Sequence, residues 1–319
     1  MSFLSKPAKI MIFIMLFISM LACSLQNQVE VLPTITLYPT TTRVVLPTLI
    51  KSNTPTPTTV PTEPPLPTTV NTITNDAVDL TAACRSIING YEALRENSPY
   101  PDNLSEGYAF HQAGDFDPNA YFEFLTHTSM TPGKVLDYIY FSDELGGLPL
   151  VYSRDENAPQ FKSYEEFMAS FDEEVTNERS YDSLYHNYDY LVDVHIDGSP
   201  ESYLEFISLV MLGDQFYLWW HGLYNDTRLM CDASDLSYVK QDLQQFELTF
   251  TDDELAQINR INYTPKVDIQ ESQVAIRVVT FSKWGGFYEY TFYVEKDDPF
   301  QLIDVQSTPL LEYDCGIAF

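Results

Sequence analysis

Positive charge is scarce in this 319-residue chain: 17 Lys and Arg stand against 46 Asp and Glu, for a formal net charge of −29. Four of the basic and two of the acidic residues lie before residue 76, so the rest of the chain holds 13 against 44 and carries −31. A field of that sign repels phosphate backbones and anionic headgroups, which excludes nucleic acid as a partner. Signature motifs are missing as well. No Walker loop, GxGxxG, GxSxG or HExxH occurs, so nucleotide use, zincin chemistry and the α/β-hydrolase elbow have no support. Cysteine occurs at four positions only (23, 84, 231 and 315), and no CxxC or HxxxH spacing offers a metal site. No cofactor is expected. No apolar run reaches the roughly 20 residues that a membrane-spanning helix needs.

What is present begins with an address. Lys6 and Lys9 precede the dozen-residue apolar run Ile10–Leu21, and Ala22-Cys23 follows it. This is the order of an export signal with its cleavage site. Met20-Leu21-Ala22-Cys23 resembles the bacterial lipobox, in which a small residue precedes the cysteine. The resemblance covers only this N-terminus. It implies a signal peptide over 1–22, removed by a lipoprotein-specific peptidase. It also implies a diacylglycerol on the Cys23 sulfur that anchors the chain to the cell membrane on its outer side. Two or three acyl chains make a stable anchor, at ~0.8 kcal/mol per buried methylene.

Residues 23–75 form a Thr/Pro-rich linker that holds nine of the 20 prolines. Proline fixes φ and lacks a donor, so neither helix nor sheet propagates through it. At ~3.1 Å per residue such a stalk has an upper reach of about 150 Å. It lifts whatever follows clear of the lipid.

The remaining residues are 76–319. Over Asp79–Arg95, Leu80, Ala83, Cys84, Ile87, Ile88, Tyr91 and Leu94 recur at helical spacing, which predicts a helix. Asp117-Pro118 starts a short helix, and Ser163–Glu166 and Thr251–Glu254 are capping boxes. Val135–Phe141 and Leu148–Ser153 form a hairpin around Gly146-Gly147. A meander is expected from Tyr188–Ile196, Ser202–Leu212, Gln215–Leu223 and Leu229–Asp232, then a helix over Asp235–Gln245. Four C-terminal strands follow: Lys266–Gln270, Gln273–Ser282, Phe287–Lys296 and Phe300–Gln306. In the third, Tyr288, Tyr290, Phe292 and Val294 form one apolar face, which Ile303 and Val305 continue. The expected fold is α+β, with mostly antiparallel meander sheets and a few packing helices. It is built as two packed halves, 76–235 and 236–319. No motif ties this part to a characterised family.

An exported domain sits in an oxidising place, so one disulfide is expected. Cys231–Cys315, both beside Asp at strand ends, comes first and Cys84–Cys231 next. Nothing in the spacing of His111, His127, His186, His195 and His221 selects a catalytic histidine. With 44 carboxylates in the domain no pair stands out, although an extracytoplasmic hydrolase acting on cell-wall glycan or peptide through two of them is the rival reading. Asp193, Asp197 and Glu201 surround one turn, where they read as loose solvated carboxylates rather than a calcium site. The aromatic content is unusual, with 22 Tyr, 20 Phe and 3 Trp. Strand alternation sends Trp219 and Trp220 to opposite faces, one of them into the core. Trp219, Trp220, Tyr188 and Tyr190 are the candidate ligand-binding aromatics, for a glycan or a protein. The leading reading is a lipid-anchored, non-enzymatic binding module.

The anchor has a direct test. Cys23→Ala is expected to release the protein from the membrane fraction or to leave an unprocessed precursor. A variant that stays membrane-bound at the mature mass contradicts the anchor.

Overall fold

The computed structural model describes residues 78–312, except 102–103, 105–108, 144–145, 171–188, 221–222, 224–225, 246–247 and 284. The signal, Cys23 and the linker lie outside the described residues, as do Tyr188, His186, His221, Trp284 and Cys315.

The α+β class with antiparallel sheets holds. Strand β1 (Val78–Asp79) leads into α1 (Thr81–Asn97). The Asp79 carboxylate accepts hydrogen bonds from the Thr81 N–H and hydroxyl, which starts the helix. Cys84, Ile87 and Tyr91 form its buried stripe, as the periodicity requires. After β2 (Ala109–Phe110), Asp117 caps a 3₁₀ turn over Pro118–Glu123. Strand β3 (Thr128–Met130) pairs with the later β6 (Val194–Ile196). Between them, β4 (Lys134–Asp143) and β5 (Gly146–Asp155) form the expected hairpin, in register from Lys134↔Asp155 to Asp143↔Gly146. Ser163 caps the short helix α2 (Tyr164–Met168).

The expected meander is where the structure departs from the sequence reading. Ser202–Leu212 is not a strand but part of α3 (Pro200–Leu212), and ten of its residues are buried on all sides. Its polar members Ser202, Glu205 and Ser208 recur every third residue, but they are buried among apolar residues and the run as a whole reads as one hydrophobic stretch. The local start signal was present. Ser199 accepts from the Ser202 N–H, Pro200 sits in the first turn, and Glu201 follows. Tyr188–Ile196 likewise reduces to a 3₁₀ turn (Asp189–Asp193) and β6. Of Gln215–Leu223 only the two-residue β7 (Trp219–Trp220) pairs, on the edge of the sheet β2-β4-β5-β7.

The second half follows expectation more closely. β8 (Arg228–Met230) precedes α4 (Leu236–Gln245) and α5 (Asp252–Ile258), the latter opened by a complete Thr251/Glu254 capping box. Then come β9 (Lys266–Ile269), β10 (Gln273–Ser282), β11 (Gly286–Glu295) and β12 (Leu302–Leu311). The main sheet runs β1-β9-β10-β11-β12, and β8 pairs with the far end of β10. Two strands from before residue 236, β1 and β8, thus complete the C-terminal sheet. One core joins Leu80 and Tyr91 of α1, Leu204 and Ile207 of α3, and Val274 and Val294 of the sheet. Ile303 and Val305 do not join it. They are 51% and 41% exposed, because β12 is the last strand of the sheet path and the core stops at Phe292 and Val294 of β11.

The disulfide also differs from expectation. Cys231 bonds Cys84, not Cys315. Cys231 is completely buried at the end of β8, and the inward stripe of α1 brings Cys84 to it, with the two Cα atoms 5.6 Å apart. Charge reinforces the clamp. Arg85 bridges Asp232 at 2.6 Å, pairs with Asp235 and donates to the Ser234 hydroxyl. The second oxygen of Asp235 accepts the Cys231 N–H at 2.7 Å.

The bond spans 147 residues of sequence, and closing a loop of that size removes much denatured-state entropy. Replacing both Cys84 and Cys231 by Ala is expected to cost about 2–5 kcal/mol in chemical unfolding. Non-reduced peptide mapping checks the pairing, and a Cys231–Cys315 peptide contradicts it.

Candidate functional site

The two tryptophans present the clearest site. Both are exposed, Trp219 by 40% and Trp220 by 60%. The alternation argument fails because Trp220 has φ 51°, a left-handed conformation that ends the extended strand. Neither indole therefore enters the core. They stand opposite Gly147 and Gly146 of β5, which offer no side chain across the strand pair. Gly147 is required there, because a Cβ would collide with the Tyr140 hydroxyl.

The chain reaches this edge over a scaffold of aromatic hydrogen bonds. Gly213 closes α3, and its carbonyl accepts from the Tyr121 hydroxyl at 2.8 Å. Phe216 stacks on Phe116 with ring centroids 4.0 Å apart. Tyr217 has φ 55° and turns the chain outward. It is held at both ends: its carbonyl accepts from Tyr140, whose hydroxyl lies 2.8 Å from that of Tyr100, and its own hydroxyl accepts the Phe116 N–H at 2.8 Å. A left-handed non-glycine residue costs of order 1 kcal/mol or more, and such positions persist only where surrounding contacts hold them. The sequence reading missed Tyr100, Phe116, Tyr140 and Tyr217, whose partners are up to 101 residues away. It took Gly146-Gly147 only as a turn.

The other candidate aromatics do not join this edge. Tyr190 is a core residue whose hydroxyl donates to the Leu209 carbonyl at 3.0 Å, and Tyr188 lies outside the described residues. Its helix-facing hydroxyl, not a ligand, is what Tyr190 serves.

The polar clusters are structural. Asp137 is buried and accepts from Arg154 at 2.8 Å and from the Tyr138 N–H, with His111 Nδ1 at 3.3 Å. Burial pushes its carboxyl up, but His111, Arg154 and that N–H together hold it below the usual carboxylate range. His111 is raised by its bond to Asp137. Glu205 on α3 accepts the His127 N–H at 2.8 Å, and burial raises its carboxyl. Ser199, His127 and Asp197 meet, yet the Ser199 hydroxyl (3.4 Å) and Asp197 (2.8 Å) both approach Nδ1 of the ring. A nucleophile relay needs the two ring nitrogens separately. Asp193 contacts Ser153 and Lys134. Among the described residues no group of three or more His, Cys, Asp or Glu could hold a metal ion, and no helix is long and apolar enough to cross a membrane.

One carboxyl is out of range. Burial pushes Asp214, next to the Gly213 cap, up to about 7. Its electrostatic neighbours include the core tyrosines Tyr91 and Tyr121 rather than a second carboxylate across a cleft. No protein-family model matches the chain, and neither curated proteins nor solved structures yield a match.

A carboxyl raised on folding binds its proton more tightly in the native state. Its contribution to stability is therefore greatest below the unfolded value and declines as pH rises through about 7. Asp214→Asn is expected to raise the melting temperature near pH ~8, by about 2–4 °C per kcal/mol recovered, with little change near pH ~4. Equal shifts at both pH values contradict the assignment.

Proposed function

We propose that this chain is an envelope-anchored binding module, held by lipid at Cys23 and extended on the linker 23–75. Its acidic domain binds a glycan through the Trp219–Trp220 edge. The single observation that carries this reading is the pair of exposed indoles on a backbone held rigid by Tyr217, Tyr140 and Phe116. An indole face offers apolar area for the C–H side of a sugar ring, and its N–H gives a polar handle at the rim. A preorganised platform loses little entropy on binding. The stalk supports the same reading, because a binding surface is useful away from the lipid that holds it. The hydrolase alternative needs two carboxylates across one bond. Asp137, Glu205, Asp235 and Asp268 are buried and each accept hydrogen bonds from neighbouring groups of the fold, and Asp214, the carboxyl raised to about 7, is half-buried beside core tyrosines.

The test uses the full chain in detergent micelles against purified cell-wall glycan and a panel of neutral oligosaccharides. Retention is expected, and Trp219→Ala or Trp220→Ala should weaken it about tenfold, as loss of a central aromatic anchor does. Retention of neither glycan class, or retention by both variants at the level of the unmutated chain, sinks the proposal. Release of shortened glycan during the incubation favours the hydrolase.

A further inference from the structure

The main sheet ends in an open edge. β12 runs ten residues, pairs among the described strands only with β11, and leaves Ile303 through Pro309 exposed. An edge of this length is a template for another strand. The direction in which it faces follows from Pro309. Proline has no N–H to give, so inside a strand it stands where its nitrogen faces the free side. Residues alternate along a regular strand, and Tyr288↔Pro309 to Phe292↔Val305 is regular. The free side therefore also carries the N–H and C=O groups of Ser307 and the C=O of Val305, whose own N–H donates to the Asp304 carboxylate at 2.9 Å.

An apolar groove adjoins the start of this edge. It has a volume of about 450 Å³ and is lined by Leu191, Val192, Phe206, Phe300 and Leu302, with Pro299 and Gln301. Val192 at its rim is 59% exposed. The groove and the strand share Leu302, so a chain lying along Val305 and Ser307 passes the mouth of the groove. Main-chain hydrogen bonds supply affinity in such an arrangement, and a side-chain pocket supplies selectivity.

Charge decides between occupants. β12 contains Asp304 and no basic residue, and Asp297 and Asp298 are exposed beside the groove, with Lys296 and His195 as the basic groups near them. A second copy would bring a further net −31 to this edge, and like charge opposes that association. We propose that the β12 edge and its groove form a docking site for an extended cationic peptide segment of a partner protein. The segment adds a strand to the sheet and places one aliphatic side chain in the groove. This site is on a different sheet from the tryptophan edge and does not rest on the glycan reading.

The probe is a fluorescein-labelled peptide, acetyl-Lys-Thr-Val-Leu-Val-Thr-Lys-amide, titrated by anisotropy against the full chain in detergent micelles. Saturable binding is expected. A copy N-methylated at alternate amides should bind about tenfold more weakly, since it cannot form the ladder. A copy with Glu for both Lys should also bind more weakly, by an amount that shrinks as salt is added. Ser307→Pro removes one outward donor without touching the β11 pairing, and should weaken binding to a similar degree at an unchanged melting temperature. Val192→Ser should weaken the peptide with Leu at its centre more than one with Ser there. The N-methylated copy keeps the test independent of how any variant folds. Absence of saturable binding, or equal binding by the N-methylated copy, overturns the proposal. Sedimentation of the same sample that reveals dimers lost in Ser307→Pro assigns the edge to a second copy. Binding that appears only after residues 24–75 are deleted assigns it to the chain's own linker. Either result also overturns the proposal.

Discussion

Burial of α3 on every side is the constraint around which the molecule is arranged. A helix without a wet face needs neighbours in all directions, and here they come from both ends of the chain. Tyr91 of α1 approaches the Ser208 hydroxyl, Tyr190 donates to the Leu209 carbonyl, and Tyr203 donates to the Lys296 carbonyl beyond β11. Both proposed binding surfaces hang from it. Its last residues launch Gly213 to Trp220 toward the edge of β5, and Phe206 contributes to the groove beside β12. The two surfaces share a foundation while belonging to different sheets.

The shortage of cations shapes the electrostatics. Four half-buried arginines are committed to carboxylates at structural junctions, while Arg95 donates to the Tyr91 carbonyl. Arg85 holds Asp232 and Asp235 beside the disulfide, Arg154 holds Asp137, Arg277 holds Glu289, and Arg228 bridges Glu92 and Asp242. Half-buried pairs of this kind lose heavily when one partner is removed, because the other is left desolvated and alone. With the arginines used internally, the surface keeps the negative excess. A field of that sign favours the approach of cations and opposes that of anions.

Legibility varied along the chain for identifiable reasons. The β4–β5 and β10–β11 hairpins were readable, because each strand has its partner within about a dozen residues and its own turn signal. α1, α4 and α5 were readable from a half-wet stripe or a capping box. α3 was not, since its one short polar row (Ser202, Glu205, Ser208) is buried and outnumbered by the apolar residues on its other faces. Its Ser199-Pro200-Glu201 start was the one signal that outweighed the run's β-branched and aromatic content. The tryptophan pair was noticed but misassigned. Alternation assumes extended backbone at both residues, but Trp220 is left-handed, and the left-handed turn at Tyr217 before it is held by the Tyr140 hydroxyl, itself beside that of Tyr100.

By itself, the sequence determined the properties that are local or additive. These are the sign and size of the charge, the proline-interrupted linker, the antiparallel α+β class, and the helix caps made by residues within three positions of each other. Tertiary structure alone decided which cysteine met Cys231, which tyrosines became scaffold, that both indoles stayed in water, and which strand was left as an edge. Each of those outcomes depends on groups tens to more than a hundred residues apart competing for one place. Only the packed chain brings such groups within the 3–6 Å over which hydrogen bonds, disulfides and side-chain packing act.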